Sequence, residues 1–341
     1  MKWLFFLRKI PLLIAFPICS GDFDKSADIT AKFSSIKEEF RESVPHRKGL
    51  THNEKMGLTG SRVASIDFDG KIAMQHIEAQ TSFGPRSPQY PDAKFQTLSY
   101  IRSQIPSSMQ IQLHEFNTNG LNGTNLWVSS RVAQKKSNTL IMLGTHWDTR
   151  SQADRDTDIT QRNIPVLGAN DGASGVAVLI EIAKHLHKKP PKINVDLIFF
   201  DLEDIGNIGK NAYAMGSREF VEEHPKYRPT AGIIIDMVCD KNLRIPREHY
   251  SSLSAPEVLS RVWASADRQE ANAFKDIRGG AIIDDHIPFL EVGIPVVNLI
   301  HFPFPKSWHT TNDTIKFCSV TSLDQVGRVV LDFIYQYSSN Y

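Results

Sequence analysis

VDLIFFDLED, residues 195–204, is an apolar run that ends in acids. A run of this kind reads as a strand, and the charges after it place its C-terminal end at the edge of a core. The pattern recurs. TLIMLGTHWDT (139–149) is a continuous apolar run, as expected of a strand buried on both faces, and it leads into His146 and Asp148. AGIIID (231–236) ends in Asp236, and IPVVNLI (294–300) is a fourth such strand. Helical patterns lie between them. In GASGVAVLIEIAKHLHKK, residues Val176, Leu179, Ile180, Ala183 and Leu186 recur at helical spacing, and Pro190-Pro191 stops the helix. SREFVEEH, SAPEVLSRVWASAD and the closing VTSLDQVGRVVLDFIYQY read as further helices. Strands alternating with helices predict an α/β fold, a three-layer α/β/α sandwich around a mixed, mostly parallel twisted sheet. Such a sheet presents its ligands at the carboxyl ends of its strands.

Upstream, IAMQHIEAQTSFG and DAKFQTLSYIRSQI read as helices around the turn FGPRSPQYP. MQIQLHEF alternates apolar and polar residues, NTNGLNGTN is read as a turn, and LWVSSRV as the returning strand, an antiparallel edge hairpin. The stretch Thr149 to Pro165 is a long charged loop, and loops of that size inside a compact domain are usually functional.

The chain has 341 residues, 41% hydrophobic and 23% charged, which suits one large catalytic domain from 66 to 341 with a short extension. The formal net charge of +1, with no block of like charge, gives no reason to expect nucleic acid as a partner. Residues 1–20 carry Arg8 and Lys9 and then IPLLIAFPIC, a basic and apolar pattern that reads as an export signal. Cys19 leaves two alternatives open, a lipid anchor to the membrane or simple secretion. The expected location is therefore periplasmic, extracellular or anchored to the cell envelope. Residues 21–65 are polar and mixed and read as a linker or arm. Cys239 and Cys318 are read as two free buried thiols in preference to a disulfide. The chain is expected to be a monomer.

The chemistry-bearing residues cluster at these strand ends and turns. Asp171, in GANDGASG, lies in a turn that Gly168 and Gly172 permit; it is a helix cap or a metal-ligating carboxylate. Glu203 and Asp204 are adjacent acids after a buried strand. Their repulsion needs a cation or a proton to offset it, and neighbours in an extended chain point different ways. One acid can bind metal while the other shuttles a proton. His309, in FPFPKSWHTTND, is of the type that binds zinc, and Asp313 is expected on its other ring nitrogen. His146 and Asp148 are either a second metal ligand with its orienting acid or a structural pair. Asp236 and Asp284 (with Asp285 in GGAIIDDHIPFL) are further acids aimed at the same region.

With these residues in hand, the chain resembles the zinc-dependent M28 peptidases and, within them, the glutaminyl-peptide cyclotransferases. The resemblance runs from about Gln75 to the C-terminus, through SFGPRSP, HWD, GANDGASG, FFDLED, MGSREF, DDHIPFL and PFPKSWHT. It implies one zinc held by Asp171, Asp204 and His309, with Glu203 as proton shuttle. Asp236 and Asp284 would complete the acidic network, and Phe304 and Trp308 would line the substrate pocket. The implied substrate is a peptide with an N-terminal glutamine, closed to pyroglutamate with release of ammonia. The alternative is a di-zinc aminopeptidase, adding His146 and Asp236 as ligands of a second ion. A non-catalytic binding domain of the same fold is a third reading. Several positions depart from the animal enzymes' pattern. Asp204 stands for Glu, Asn298 for a His, Gly209 for a second pocket Trp, and Thr145 and Val176 for a cysteine pair.

Overall fold

The computed structural model describes residues 66–130 and 138–339. The expected export signal, Cys19 and the arm at 21–65 lie outside the described residues. Helices α1 (Gly70–Ser82) and α2 (Pro91–Gln104) come first. Strands β1 (Gln110–Thr118), β2 (Leu121–Ser129) and β3 (Leu140–His146) lead to α3 (Ala173–Lys188) and β4 (Asn194–Phe200). Then follow α4 (Met215–Glu223), β5 (Ala231–Asp236), β6 (Ile245–Arg247), α5 (His249–Ser254) and α6 (Pro256–Arg268). β7 (Phe274–Arg278), α7 (His286–Glu291), β8 (Val296–Ile300) and α8 (Val320–Ser339) complete the order.

The main sheet has six strands in the order β1-β2-β4-β3-β5-β8. β4, β3, β5 and β8 are parallel, and β1 and β2 form the antiparallel edge. The α/β sandwich expected from sequence is therefore present. Successive side chains of the central strands go to opposite cores, as a two-residue repeat demands. Val195, Leu197 and Phe199 join the large core under α1, α3, α6 and α8, whereas Ile198 and Phe200 join a smaller one under α4 and α7. Both faces are covered, which is why these strands read as unbroken apolar runs. Truncating a fully buried Phe here would cost about 3–5 kcal/mol.

Three details differ from the sequence reading. The hairpin turns at Asn119-Gly120, and β2 already begins at Leu121, so most of NTNGLNGTN is strand. Both turn residues have positive φ (52° and 80°), the conformation tight hairpin turns require. A parallel pair, β6 with β7, forms a small second sheet that was not anticipated. Cys239 and Cys318 are not free thiols: they form a disulfide. The misreading has a physical reason. Two buried cysteines far apart in sequence look alike whether paired or not, and only the bridge between Asp240 and Cys318 brings their backbones together.

Candidate metal centre

β3 and β5 are neighbours in the sheet, with β4 on the other side of β3. Their carboxyl ends define the site. His146 is the last residue of β3 and Asp236 the last of β5. Glu203 and Asp204 lie just beyond β4. Asp171 lies in the turn before α3, and His309 in the loop after β8. All six are buried, Asp204 and His146 to 1% exposure.

Two groups of donors form, and Asp171 belongs to both. In the first, His309 Nε2 lies 3.1 Å from Asp204 Oδ1 and 3.6 Å from Asp171 Oδ2. In the second, His146 Nε2 lies 3.1 Å from Asp171 Oδ1 and 3.0 Å from Asp236 Oδ1. A tetrahedral zinc with bonds of about 2.0 Å holds its ligand atoms about 3.3 Å apart, so both groups have suitable spacing. Asp204 Oδ2 is buried without a hydrogen-bond partner among the described residues, an arrangement that costs free energy unless a cation takes it up. The residues present therefore fit a zinc ion.

The electrostatics agree. Burial first, and the charge of Asp204 second, push the Asp171 carboxyl well above the usual range. Burial also raises Asp204, but His309 and Arg150 outweigh it and hold that acid below its ordinary value. Burial lowers His309, which favours the neutral imidazole a metal requires. His146 behaves oppositely. Burial pulls it down, yet Asp148, Asp171 and Asp236 outweigh burial and hold it well above its ordinary value. Burial raises Asp236 to about 6, with His146 opposing.

Glu203 stands outside both donor groups. Burial pushes its carboxyl well above the usual range; Asp284 and Asp204 add to the rise, and His146 opposes it. Asp284 accepts a 2.6 Å hydrogen bond from Asn298 Nδ2, so Asn298 serves the acidic network from the position where a His was expected by resemblance. Beside these acids, Met237, Ile282 and Ile300 pack with Phe302, Phe304 and Trp308 into an apolar wall. Trp308 stacks on Phe304 (4.3 Å between centroids) and on the His309 ring (3.9 Å). Its indole thus fixes the His309 ring as well as lining the wall.

The backbone around the site is held in costly shapes. Leu202, Met237 and His309 are non-glycine residues with positive φ (55°, 49° and 54°), and each is at or next to a site residue. Left-handed backbone of this kind costs about 1–3 kcal/mol per residue and persists where surrounding contacts enforce it. The contacts are visible. The two oxygens of Asp148 accept the backbone N–H groups of Glu203 (3.0 Å) and Asp204 (3.1 Å). Asp148 Oδ1 also lies 3.4 Å from His146 Nδ1, so the H-x-D pair joins β3 to the turn after β4.

Asp313 does not take the place expected for it. Its carboxylate accepts the N–H groups of Asn170 and Asp171, while His309 Nδ1 faces Asp154 at 3.7 Å. The intervening turn sets Asp313 against the backbone of the Asp171 loop instead.

Two site residues escaped the sequence reading. Arg86, in SFGPRSP, is fully buried and donates to the carbonyls of Trp147, Leu167 and Gly168, tying the His146 strand to the Asp171 loop. Arg150 donates to Asp204 Oδ1 (3.3 Å) and to the carbonyls of Asp204 and Gly206. An arginine in a charged loop carries no sequence signal of this role; only its place two residues after the H-x-D pair hinted at it.

The comparisons with known proteins agree with this geometry. The model of Peptidase family M28 matches residues 128–334, more than half of the chain. The glutaminyl-peptide cyclotransferase of Bos taurus is 26% identical over 230 residues; the match covers 58% of this chain and 62% of the relative, so the chain spans less than two thirds of that protein's length. A crystal structure of Bacteroides thetaiotaomicron glutaminyl cyclase bound to N-acetylhistamine superposes with a TM-score of 0.72 at 31% identity, over 80% of this chain and 99% of that one. A crystal structure of a Zn-dependent exopeptidase from Parabacteroides distasonis gives a TM-score of 0.73 at 30% identity, over 80% and 99%.

Proposed function

The chain belongs to peptidase family M28, and within it we propose a zinc-dependent glutaminyl-peptide cyclotransferase that turns the N-terminal glutamine of peptides into pyroglutamate and releases ammonia. The observation that carries the reading is Glu203. It is a buried acid, raised by its surroundings, beside a three-donor zinc site but outside it. The likeness to bacterial glutaminyl cyclases over nearly their whole length supports the assignment.

Asp171, Asp204 and His309 would hold the zinc, which when bound supplies a Lewis acid that polarises the side-chain amide carbonyl. Glu203 takes a proton from the substrate's α-amine, and the amine nitrogen then bonds to the amide carbon. Its raised proton affinity suits it to that task. Glu203 next returns the proton to the departing nitrogen as the C–N bond breaks, and ammonia leaves. Asp284, oriented by Asn298, adds to the proton affinity of Glu203. Phe304 and Trp308 exclude water, which would otherwise hydrolyse the same amide to glutamate.

Export belongs to the same reading. The disulfide supports it, because such bonds persist in oxidising compartments. Residues 1–20 would serve as the signal, and peptides outside the cytoplasm as substrates.

One observation favours a second reading, a di-zinc aminopeptidase. The two oxygens of Asp171 face different donor groups, as a carboxylate bridging two ions would. Purified protein incubated with a Gln-peptide and with Leu-amide, alongside metal analysis, separates the two. Ammonia and pyroglutamyl peptide with about one zinc per chain are expected. Leucine release with about two zinc ions per chain would overturn the cyclase reading.

A further inference from the structure

Asp171 and His309 come from loops far apart in the chain, yet their side chains meet. Asp313, in the turn that follows His309, is buried to 1% exposure. It takes three consecutive backbone N–H groups of the Asp171 loop. Its carbonyl accepts that of Ala169 (3.3 Å), Oδ1 that of Asn170 (2.8 Å) and Oδ2 that of Asp171 (3.0 Å). Hydrogen bonds to an ionised acceptor are shorter and about twice as strong as neutral ones.

The Asp171 loop has little freedom to answer in any other way. It is bounded by Gly168 and Gly172, both with positive φ. A Cβ at Gly168 would lie 2.5 Å from the Asp171 carbonyl oxygen, and one at Gly172 would lie 2.5 Å from that of Asp148. Arg86 holds the Gly168 carbonyl from below. A loop packed this tightly moves as a unit with whatever grips its amides.

We infer that Asp313 is a positioning residue for the metal: it sets the separation of Asp171 from His309 and so the affinity of the site for zinc. It acts through the backbone of one ligand loop and the chain of the other, without touching the ion. The inference rests on the reading of Asp171, Asp204 and His309 as zinc ligands. Asp148 makes the matching contact on the other side, to the amides of Glu203 and Asp204.

The test is zinc affinity, measured on the metal-free protein by competition with a chromophoric chelator, with the visible spectrum of the cobalt-loaded protein as a second readout. Asp313→Asn keeps one acceptor but sets an NH2 group against the second backbone N–H. A weakening of about 10–100-fold is expected, the range for residues that orient a metal's ligands, together with an altered cobalt spectrum. Asp313→Glu, which keeps charge and both acceptors but pushes the loop outward, is expected to lose affinity too; it decides the matter if Asp313→Asn does not fold. Asp332→Asn is the control. Asp332 is equally buried, but it accepts from Arg268 and Gln269 and lies outside the site. It is expected to lower the melting temperature and leave zinc affinity unchanged. Wild-type protein that binds no zinc would defeat the ligand reading itself. Tight zinc binding by wild type and by both Asp313 variants, or an equal loss in Asp332→Asn, would overturn the positioning role.

Discussion

The two donor groups that share Asp171 are built in opposite ways. His146 and Asp236 are the closing residues of β3 and β5, and their positions follow from the register of the sheet. Asp204 and His309 lie on irregular chain, after the left-handed Leu202 and at a left-handed position respectively. The strand-borne pair is placed by the backbone hydrogen bonds of the sheet, with Asp148 beside the His146 ring. The loop-borne pair is held by Asp148, Arg150 and the Trp308 stack, while Asp313 grips the Asp171 loop that both groups share. Their proton affinities divide the same way. Three carboxylates outweigh burial at His146 and raise its proton affinity, whereas burial outweighs Asp204 and Asp154 at His309 and lowers it. A sheet end supplies a rigid but proton-laden corner, and the braced loops supply the neutral imidazole and ionised Asp204 that a metal prefers.

The largest effect expected from this contrast is at His309. Replacing it by Ala should take bound zinc from about one per chain to about none and abolish ammonia release, read by metal analysis of the purified variant. The matching change at the strand end, His146→Ala, should leave zinc in place; a variant as metal-free as His309→Ala would erase the distinction between the groups. Next comes Glu203→Gln. It should keep zinc and lower kcat by about 10²–10⁴-fold, the usual share of a general base. An active variant would remove Glu203 from the reaction.

Reducing the Cys239–Cys318 bridge, or replacing both with Ser, should destabilise the protein by roughly 4 kcal/mol, from the entropy of the loop it closes. Urea unfolding with and without reductant measures it. The backbone bonds beside the bridge (Ser319 N–H to the Cys239 carbonyl, Lys241 N–H to the Phe317 carbonyl) should keep the reduced protein folded in water.

Asp236→Asn sharpens the comparison further. If the strand-borne pair only orients Asp171, zinc affinity should fall by no more than about 10–100-fold. Loss of a second zinc equivalent would instead mark His146 and Asp236 as ligands. The smallest effect is on pH. Asp236 is raised from 3.8 to about 6 in the folded, metal-free protein. The folded state therefore binds the proton more tightly than the unfolded chain, and this group's contribution to stability falls as pH rises from about 4 to about 6. Metal-free protein should melt at a lower temperature at pH 7 than at pH 5, and Asp236→Asn should flatten that slope.

Much of the fold was legible because burial on both faces leaves a coarse mark. The runs at 139–145, 195–200 and 231–235 could be little else than central strands. The acids and histidines at their ends were legible for the same reason, since ionisable groups bordering such runs stand out. The β6–β7 pair was not, because a three-residue strand with a proline at its centre carries no periodicity. The disulfide, the Asp313 contact and the buried Arg86 were not either. Each depends on which backbone group lies opposite, and no local pattern records that.

From the order of its residues alone, this chain determined an α/β sheet, the strand ends at which its chemistry gathers, and the residue types able to bind zinc and move a proton. Tertiary structure alone decided that Asp171 turns one oxygen to each donor group, that the acids around His146 outweigh its burial while burial prevails at His309, and that Asp313 grips the Asp171 loop. Side-chain identity is a local property, but distance and shared protons belong to pairs, and the pairs here are made by chain segments that only folding brings together.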